Sequence, residues 1–332
     1  MTVAAVIVSW DEPQATAAAV RSLLEQTTPP AEIVVVDNHP DHPTMRVPDV
    51  TDDARVVCSA ENLGFAGGAA LGIRETSSEW VLLLNPDATA APDCVERLLA
   101  AADEASGVVG AQILLPDGRV NAGDNPVHLT GITWAGHFGE PAETGPPRGV
   151  ASVSGAAMLI RRSAYDAVGG MNERYFLYHE DVELSWRLHL AGWDVIFQPA
   201  ARVTHDYAFD KGTAKWFLLE RNRAWTVLTC YSAGALWLLA PLLLATEIAV
   251  SLEALRGGWW REKRKALGAV WRERRAIAER RRVVQGTRCV ADADLLRRMT
   301  PTFETPLLDA PLVRFAGPLL SAYRSAAIAV LR

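Results

Sequence analysis

Short apolar runs that end abruptly in polar residues constrain this chain more than any other feature. V-A-A-V-I-V-S (3–9) leads into Trp10-Asp11, and E-I-V-V-V-D (32–37) into Asn38. R-V-V-C (55–58) is followed by Glu61-Asn62, and W-V-L-L-L (80–84) stops at Asn85-Pro86-Asp87. Runs of this length, bounded by turn residues, read as strands buried on both faces. Helical patterns stand between them, at 14–26 and 67–76, and another is expected over 92–104 from Pro92. Strands alternating with helices imply an α/β fold with a mixed, mostly parallel sheet and right-handed crossovers. Pro86 ends a sheet ladder because it has no N–H to give. One polar strand end is a turn; four in series at strand carboxyl ends make the lip of a pocket.

The pattern continues with a strand expected over 108–115, a Gly/Pro-rich loop from about 119 to 150, and a strand over 152–162. A short helix from Ser163, a helix over 180–191, strands at 194–199 and 201–206 and a helix over 212–229 follow; no internal repeat is visible. Glu180, Asp181 and Glu183 crowd the start of the 180–191 helix, directly after Tyr175, Phe176 and Tyr178. Acids in a first turn favour the helix dipole, which is one use for them. An adjacent pair of acids behind aromatic residues is also how a pocket holds a general base. Helical spacing puts Glu180 with Leu184 and Arg187 and turns Asp181 elsewhere. His205 ends another strand and gains meaning only if it converges with Asp87. The glycines of E-N-L-G-F-A-G-G (61–68) allow close backbone approach to a ligand, but the run is not the G-x-G-x-x-G fingerprint of hydride-transfer enzymes. The first loop, S-W-D-E-P-Q, is acidic where a nucleotidyltransferase needs a glycine-rich, basic loop for a triphosphate.

Charge divides the chain. Residues 1–255 carry 16 Lys+Arg against 32 Asp+Glu, whereas residues 256–288 carry 12 against 3. The basic run interleaves arginine with Trp259, Trp260 and Trp271, and residues 224–246 before it hold no charged side chain. That apolar length approaches the ~20 residues of a membrane span. Pro241 interrupts it, and a span would set the arginines outside, against the positive-inside bias. Helices lying in the interface, apolar faces in lipid and basic faces on anionic headgroups, fit better than a single span or a nucleic-acid surface. Residues 311–332, broken by Arg314 and Arg324, read the same way; docking helices or a homo-oligomer contact are the alternative. The four cysteines have no metal or redox spacing and are expected to be ordinary buried thiols of a reducing compartment. The amino terminus lacks the basic start of a signal peptide and reads as a first strand.

The ordered motifs V-I-V-S-W, V-V-V-D-N, N-L-G-F-A-G-G, L-L-L-N-P-D-A, S-G-A-A-M-L-I-R-R, Y-F-L-Y-H-E-D-V-E-L-S-W-R and T-H-D-Y resemble family 2 glycosyltransferases, most of all rhamnosyltransferase-like bacterial members that extend cell-envelope glycans. The resemblance covers roughly residues 1–230. It implies a GT-A catalytic domain over 1–230; the apolar and basic pattern described above makes 231–332 a helical, membrane-associated extension. It also implies an inverting transfer from a nucleotide sugar, dTDP-rhamnose ahead of UDP-galactofuranose or UDP-glucose, to a glycan acceptor. The apolar and basic carboxyl-terminal third adds the expectation that this acceptor is lipid-linked and met at the cytoplasmic face of the membrane. On that likeness Asp37 meets the nucleobase with Ser9, Trp10 and Glu12 near it. Asn62, Gly64, Phe65, Gly67 and Gly68 line the nucleotide and sugar together with Asn85 and Pro86. Asp87 and His205 hold Mg²⁺ or Mn²⁺, and Asp181, of the Glu180-Asp181 pair, is the catalytic base. Asn85 stands where many members carry Asp, which removes one charge from the metal motif, although its amide still offers an oxygen. The different-class alternative is a nucleotide-sugar-binding membrane scaffold without catalysis.

Overall fold

The computed structural model describes residues 1–205, 212–303 and 311–332. Asp206 and Tyr207 of the T-H-D-Y motif lie outside the described residues. The described chain forms two compact units. The first comprises residues 1–125, 135–188 and the strand from 193 to 205; the second comprises residues 126–134, 189–192 and the described residues from 212 onward.

The first unit is built on one mixed sheet. Its strands are β1 (Val3–Ser9), β2 (Glu32–Asp37), β3 (Arg55–Cys58), β4 (Trp80–Leu84), β5 (Ala88–Ala90), β6 (Ser106–Leu114), β7 (Val120–Ala122), β8 (Arg148–Gly149), β9 (Ala157–Arg161) and β10 (Asp194–His205). The order is β3-β2-β1-β4-β9-β6-β10-β5, with β7 beside β6 and β8 beside β10. β3, β2, β1 and β4 run parallel, and the register pairs Ser9 with Asp37 and Asp37 with Cys58. Their polar carboxyl ends therefore share one edge, as the alternation requires. β9 runs antiparallel to β4, opposing Ala157 to Leu84, so the residues just before β9 reach the same edge.

Val3, Ala5, Ile7, Val35, Leu82, Leu84, Val109 and Leu159 belong to one buried core, which explains the near-absence of polar residues inside these strands. Gly68 and Gly72, in the helix Gly64–Arg74, lie against β1. An added Cβ would come within 2.5 Å of Val8 and 2.3 Å of Val6. Close helix–sheet packing gives Gly68 a reason to lack a side chain.

Several elements differ from the expected ones. The strands expected at 194–199 and 201–206 are one strand, β10, whose register slips between Gln198 and Arg202. Pro199 sits in that slip, where a missing N–H costs no ladder bond, and Gln112 Nε2 donates to its carbonyl at 2.8 Å. The expected strand over 152–162 contracts to β9, the helix over 92–104 to Cys94–Ala100, and the 119–150 loop contains β7 and β8. Cys94 and Cys230 are buried, but Cys58 and Cys289 are exposed, correcting the expectation of four buried thiols.

The second unit is helical: Lys215–Cys230, Ala233–Arg256, Trp260–Arg272, Arg274–Gly286, Asp292–Arg298 and Pro311–Val330. Ser232 caps the second of these, its Oγ accepting the Ala235 N–H at 3.1 Å. The helix runs on through Pro241, held on one face by buried Ala235, Leu239 and Ala254. Glu247, in the same helix, pairs with Lys263 at 2.7 Å and with Arg223, and both cations also pair with Glu220. Lys263 is 1% exposed and Glu247 half-buried, and this two-acid, two-base cluster ties three helices together. On the opposite face Trp237, Leu244, Ile248, Leu252 and Leu255 are exposed. Ala233–Arg256 is long and apolar enough to cross a membrane, and little of it is buried.

Candidate active site

The turn after β4 is the centre of the site. Pro86 occupies the second position of a turn closed by the Ala88 N–H on the Asn85 carbonyl at 3.2 Å. The chain then enters β5, a three-residue strand that pairs antiparallel with the end of β10 and sets His205 opposite Ala88. Asp87 and His205, 118 residues apart, meet there: Oδ1 lies 2.9 Å from Nε2. Asn85 joins them, its Nδ2 3.4 Å from the same ring nitrogen. His205 is buried, whereas Asn85, Pro86 and Asp87 are half-buried.

These three side chains suit a hard divalent cation. They offer a carboxylate oxygen, an imidazole nitrogen and, with the amide turned, an amide oxygen around one point. Nε2 has a single position with which to meet both an amide NH₂ and a carboxylate oxygen. A cation held by Asp87 and His205 would remove that conflict. Among the described residues no three His, Cys, Asp or Glu side chains are grouped so that they could hold a metal ion by themselves. The remaining positions would belong to phosphate oxygens and water, as is usual for Mg²⁺.

Asp181 lies in the first turn of the helix Glu180–Leu190. Its Oδ2 accepts the Gly155 N–H at 2.9 Å and its Oδ1 the Val182 N–H at 2.8 Å. The carbonyl of the next residue, Ala156, accepts the Asn85 N–H at 2.9 Å. One dipeptide, Gly155-Ala156, thus joins Asp181 to the Asn85-Pro86-Asp87 turn. Burial raises the Asp181 pKa, although the two amide donors pull it back. Glu180 is buried, its Oε2 has no partner among the described residues, and burial followed by the charge of Asp181 holds its pKa well above the usual carboxylate range. Of the pair, Asp181 is the one that two backbone amides orient. Glu183 is accounted for otherwise: it forms a fully buried pair with Arg187 at 2.5 Å.

The segment before this helix is strained. Phe176, Tyr178 and His179 all have φ between 65° and 70°, a region bulky residues avoid. Phe176 (φ 65°, ψ −65°) is the centre of a tight three-residue turn in which the Leu177 N–H reaches the Tyr175 carbonyl at 2.7 Å. The turn aims the Phe176 carbonyl at the Ala66 N–H, 3.1 Å away at the start of the Gly64–Arg74 helix. Gly64 has φ 66°, and a Cβ there would lie 2.2 Å from that carbonyl, so only glycine fits. Phe65 stands beside Gly155, where a Cβ would lie 3.3 Å from the ring and 3.6 Å from Asp181 Oδ2. The N-L-G-F loop, the Y-F-L-Y-H-E-D loop and the residues before β9 therefore meet at Asp181.

The remaining predicted residues gather at the ends of β1 and β2. Asp37 is fully buried: Oδ2 accepts the Thr44 N–H at 2.9 Å, and Ser9 Oγ bonds Thr16 and Thr44 hydroxyls at 2.8 and 2.9 Å. Both side chains thus pin the loop that follows β2. Trp10 is 42% exposed and lies 4.7 Å from the His39 ring, while Glu12 is exposed. Asn62 caps its own turn, Oδ1 accepting the Gly64 N–H at 2.9 Å. Gly67 is buried in the helix behind it. Sequence reasoning missed Asn38, a buried amide that donates to the Gly64 carbonyl at 3.1 Å and accepts the Leu63 N–H at 3.0 Å. It also missed Gly155, which acts through its backbone. Asn38 was visible as a polar strand end; the only trace of Gly155 was its place in S-G-A-A-M.

Comparison with known proteins decides the family. The family model described as "Glycosyltransferase like family 2" matches residues 2–227. This chain belongs to that family. As a family 2 glycosyltransferase it is 28% identical over 284 residues to the N-acetylglucosaminyl-diphospho-decaprenol L-rhamnosyltransferase of Mycobacterium tuberculosis, covering 75% of this chain and 91% of the relative. A low-salt glycan biosynthesis hexosyltransferase of Haloferax volcanii is 29% identical over 177 residues, 51% of this chain and 56% of that protein. Among solved structures, GalNAc-T7 with UDP, GalNAc and Mn²⁺ superposes with a TM-score of 0.58 at 15% identity, covering 70% of this chain and 48% of that one. S. aureus TarS 1–349 in complex with UDP superposes with a TM-score of 0.55 at 15% identity, covering 99% and 88%. The fold is the mixed α/β fold of GT-A transferases, followed by a helical region.

Proposed function

We propose that this glycosyltransferase moves a rhamnosyl group from dTDP-rhamnose to a lipid-linked glycan acceptor of the cell envelope, inverting the anomeric carbon, at the cytoplasmic face of the membrane. The observation that carries the reaction type is the pairing of two separate carboxylate sites, Asp87 with His205 and Asp181 with Gly155, through the Gly155-Ala156 dipeptide. The name of the mycobacterial relative supports the sugar and a lipid-diphosphate acceptor. The distance between the two proteins leaves UDP-galactofuranose and UDP-glucose as the other donors to be tried.

In this reading Trp10 and the loop pinned by Asp37 flank the nucleobase. Asn62, Gly64 and Phe65 border the sugar, and Asn38 holds their loop in place. Asp87 and His205, with Asn85 beside them, would hold Mg²⁺ or Mn²⁺, which supplies positive charge against the departing diphosphate. Asp181 takes the proton of the acceptor hydroxyl as that oxygen bonds to the anomeric carbon and the bond to the diphosphate breaks. The proton ends on Asp181 and the electron pair on the leaving diphosphate, so no covalent sugar–enzyme bond forms. Gly155 fixes the carboxylate that receives the proton. Catalysis belongs to residues 1–230 in this account, and residues 231–332 lie on the membrane through exposed apolar and basic helix faces.

A panel of nucleotide sugars with Mn²⁺ tests the donor. dTDP-rhamnose should raise the melting temperature and release dTDP when lipid-linked acceptor is added, because a ligand of the native state stabilises it. A shift given only by a UDP-sugar would replace rhamnose by that sugar; no shift from any nucleotide sugar would overturn the donor assignment.

A further inference from the structure

The second unit contains a groove that catalysis does not use. It has a volume of about 460 Å³ and an apolar wall of Leu228, Leu236, Leu267, Val270 and Ile277, drawn from four successive helices. Trp271 stands at the rim, 70% exposed, with the Arg274 guanidinium 4.9 Å over its ring. Arg281 completes the lining and donates to the carbonyls of Leu228 and Tyr231. Neither Arg274 nor Arg281 forms an ion pair with a carboxylate among the described residues, although the Arg223–Lys263 cluster of the same unit is fully paired.

We propose that this groove holds one acyl chain of an anionic phospholipid, with the lipid phosphate at Arg274. An apolar slot with uncompensated guanidinium groups needs an occupant that is apolar at one end and anionic at the other. A neutral hydrocarbon leaves the charge unanswered, and inorganic phosphate leaves the slot empty. Leu236, in the wall, adjoins Trp237, which is 82% exposed and begins the stripe that continues through Leu244, Ile248, Leu252 and Leu255. A stripe of that length beside the groove suits a lipid surface better than a single acidic peptide. The net excess of 9 basic residues over 256–288 draws anionic headgroups to the same helices. The proposal rests on the membrane reading above and adds a specific seat to it.

The test uses the full chain with phosphatidylcholine vesicles, with and without phosphatidylglycerol. Wild-type protein should float with the phosphatidylglycerol vesicles. Ala278→Trp, placed at an exposed position of the groove lining, should weaken vesicle affinity about tenfold, and Arg274→Glu by a similar factor with a reduced phosphatidylglycerol dependence. An unchanged melting temperature shows that each variant is folded. As a second readout, phosphatidylglycerol brominated on its chains should quench tryptophan emission, and Trp271→Phe should remove part of that quench. Ala278→Trp binding like wild type, with quenching unaltered by Trp271→Phe, would overturn the groove while leaving membrane association intact. Failure of the wild-type protein to float would overturn both. Binding only to vesicles that carry a lipid-linked glycan, or competition by an acidic peptide, would overturn the phospholipid assignment.

Discussion

The two units bury their acids in opposite company. In the second, Glu220 and Glu247 face Arg223 and Lys263, cation to anion. In the first, Asp37 and Asp181 face backbone amides, and Glu180 Oε2 faces no partner among the described residues. Glu183 with Arg187, on the same helix as Asp181, and the half-buried Asp124 and Glu143 with Arg148 are exceptions in the first unit. A closed ion cluster is complete and serves to hold helices together. A carboxylate oriented by amides keeps its charge unneutralised, and so stays available to a proton or a cation. That difference separates scaffold from site.

The comparison can be broken first in the second unit. Lys263→Met leaves Glu220 and Glu247 without one of their two cations, and chemical denaturation should find a loss of about 3–5 kcal/mol. A loss below about 1 kcal/mol would mean that the cluster is not closed. Asp87→Ala should leave stability nearly unchanged but cut turnover about 100- to 1,000-fold, as loss of a group facing developing charge does. The Mn²⁺-dependent part of the donor's thermal shift should vanish with it; if it persists, Asp87 does not meet the metal. Gly155→Ala sets a methyl 3.3 Å from Phe65 and should lower turnover about tenfold through displacement of Asp181, with donor binding intact.

The smallest effect sharpens the contrast by sign. Glu180 and Asp181 have raised pKa values in the folded state, so their contribution to stability is present below the unfolded carboxyl range and is lost as pH rises through the folded values. Burial would raise Glu220 and Glu247 as well, but Arg223 and Lys263 lower them instead. Their contribution is present above about pH 4.3, the ordinary Glu value, and is lost as pH falls. Glu180→Gln should therefore be neutral or slightly stabilising at neutral pH, with a flatter stability profile on the alkaline side. A marked loss of stability at neutral pH would show that Glu180 is ionised and paired.

What was legible in the sequence is what repeats or ends a pattern. The parallel strands and their polar tips followed from β-branched runs, and their common edge followed from parallel pairing. β5 was not legible, because Ala88-Thr89-Ala90 is too short and too small to read as a strand. Yet it sets His205 opposite Ala88, next to Asp87. The turn at Phe176 was hidden for a different reason. Bulky residues at positive φ contradict local preference and are held there by tertiary contacts, here the Phe176 carbonyl on Ala66. Close packing of Gly68 on Val8 was not legible, since spacing cannot tell it from close approach to a ligand. The Glu220–Lys263 cluster was unreadable because its members come from three helices whose faces only packing brings together.

The most direct test of the account compares Asp181→Asn with wild type for nucleoside diphosphate release from the active donor in the presence of lipid-linked acceptor. Donor-induced stabilisation of both proteins is measured alongside. The account predicts about a 100- to 10,000-fold loss of release, with the donor's thermal shift preserved, because the base acts on the acceptor proton and not on donor binding. Release by Asp181→Asn within a few fold of wild type would contradict it and leave a nucleotide-sugar-binding scaffold as the better description.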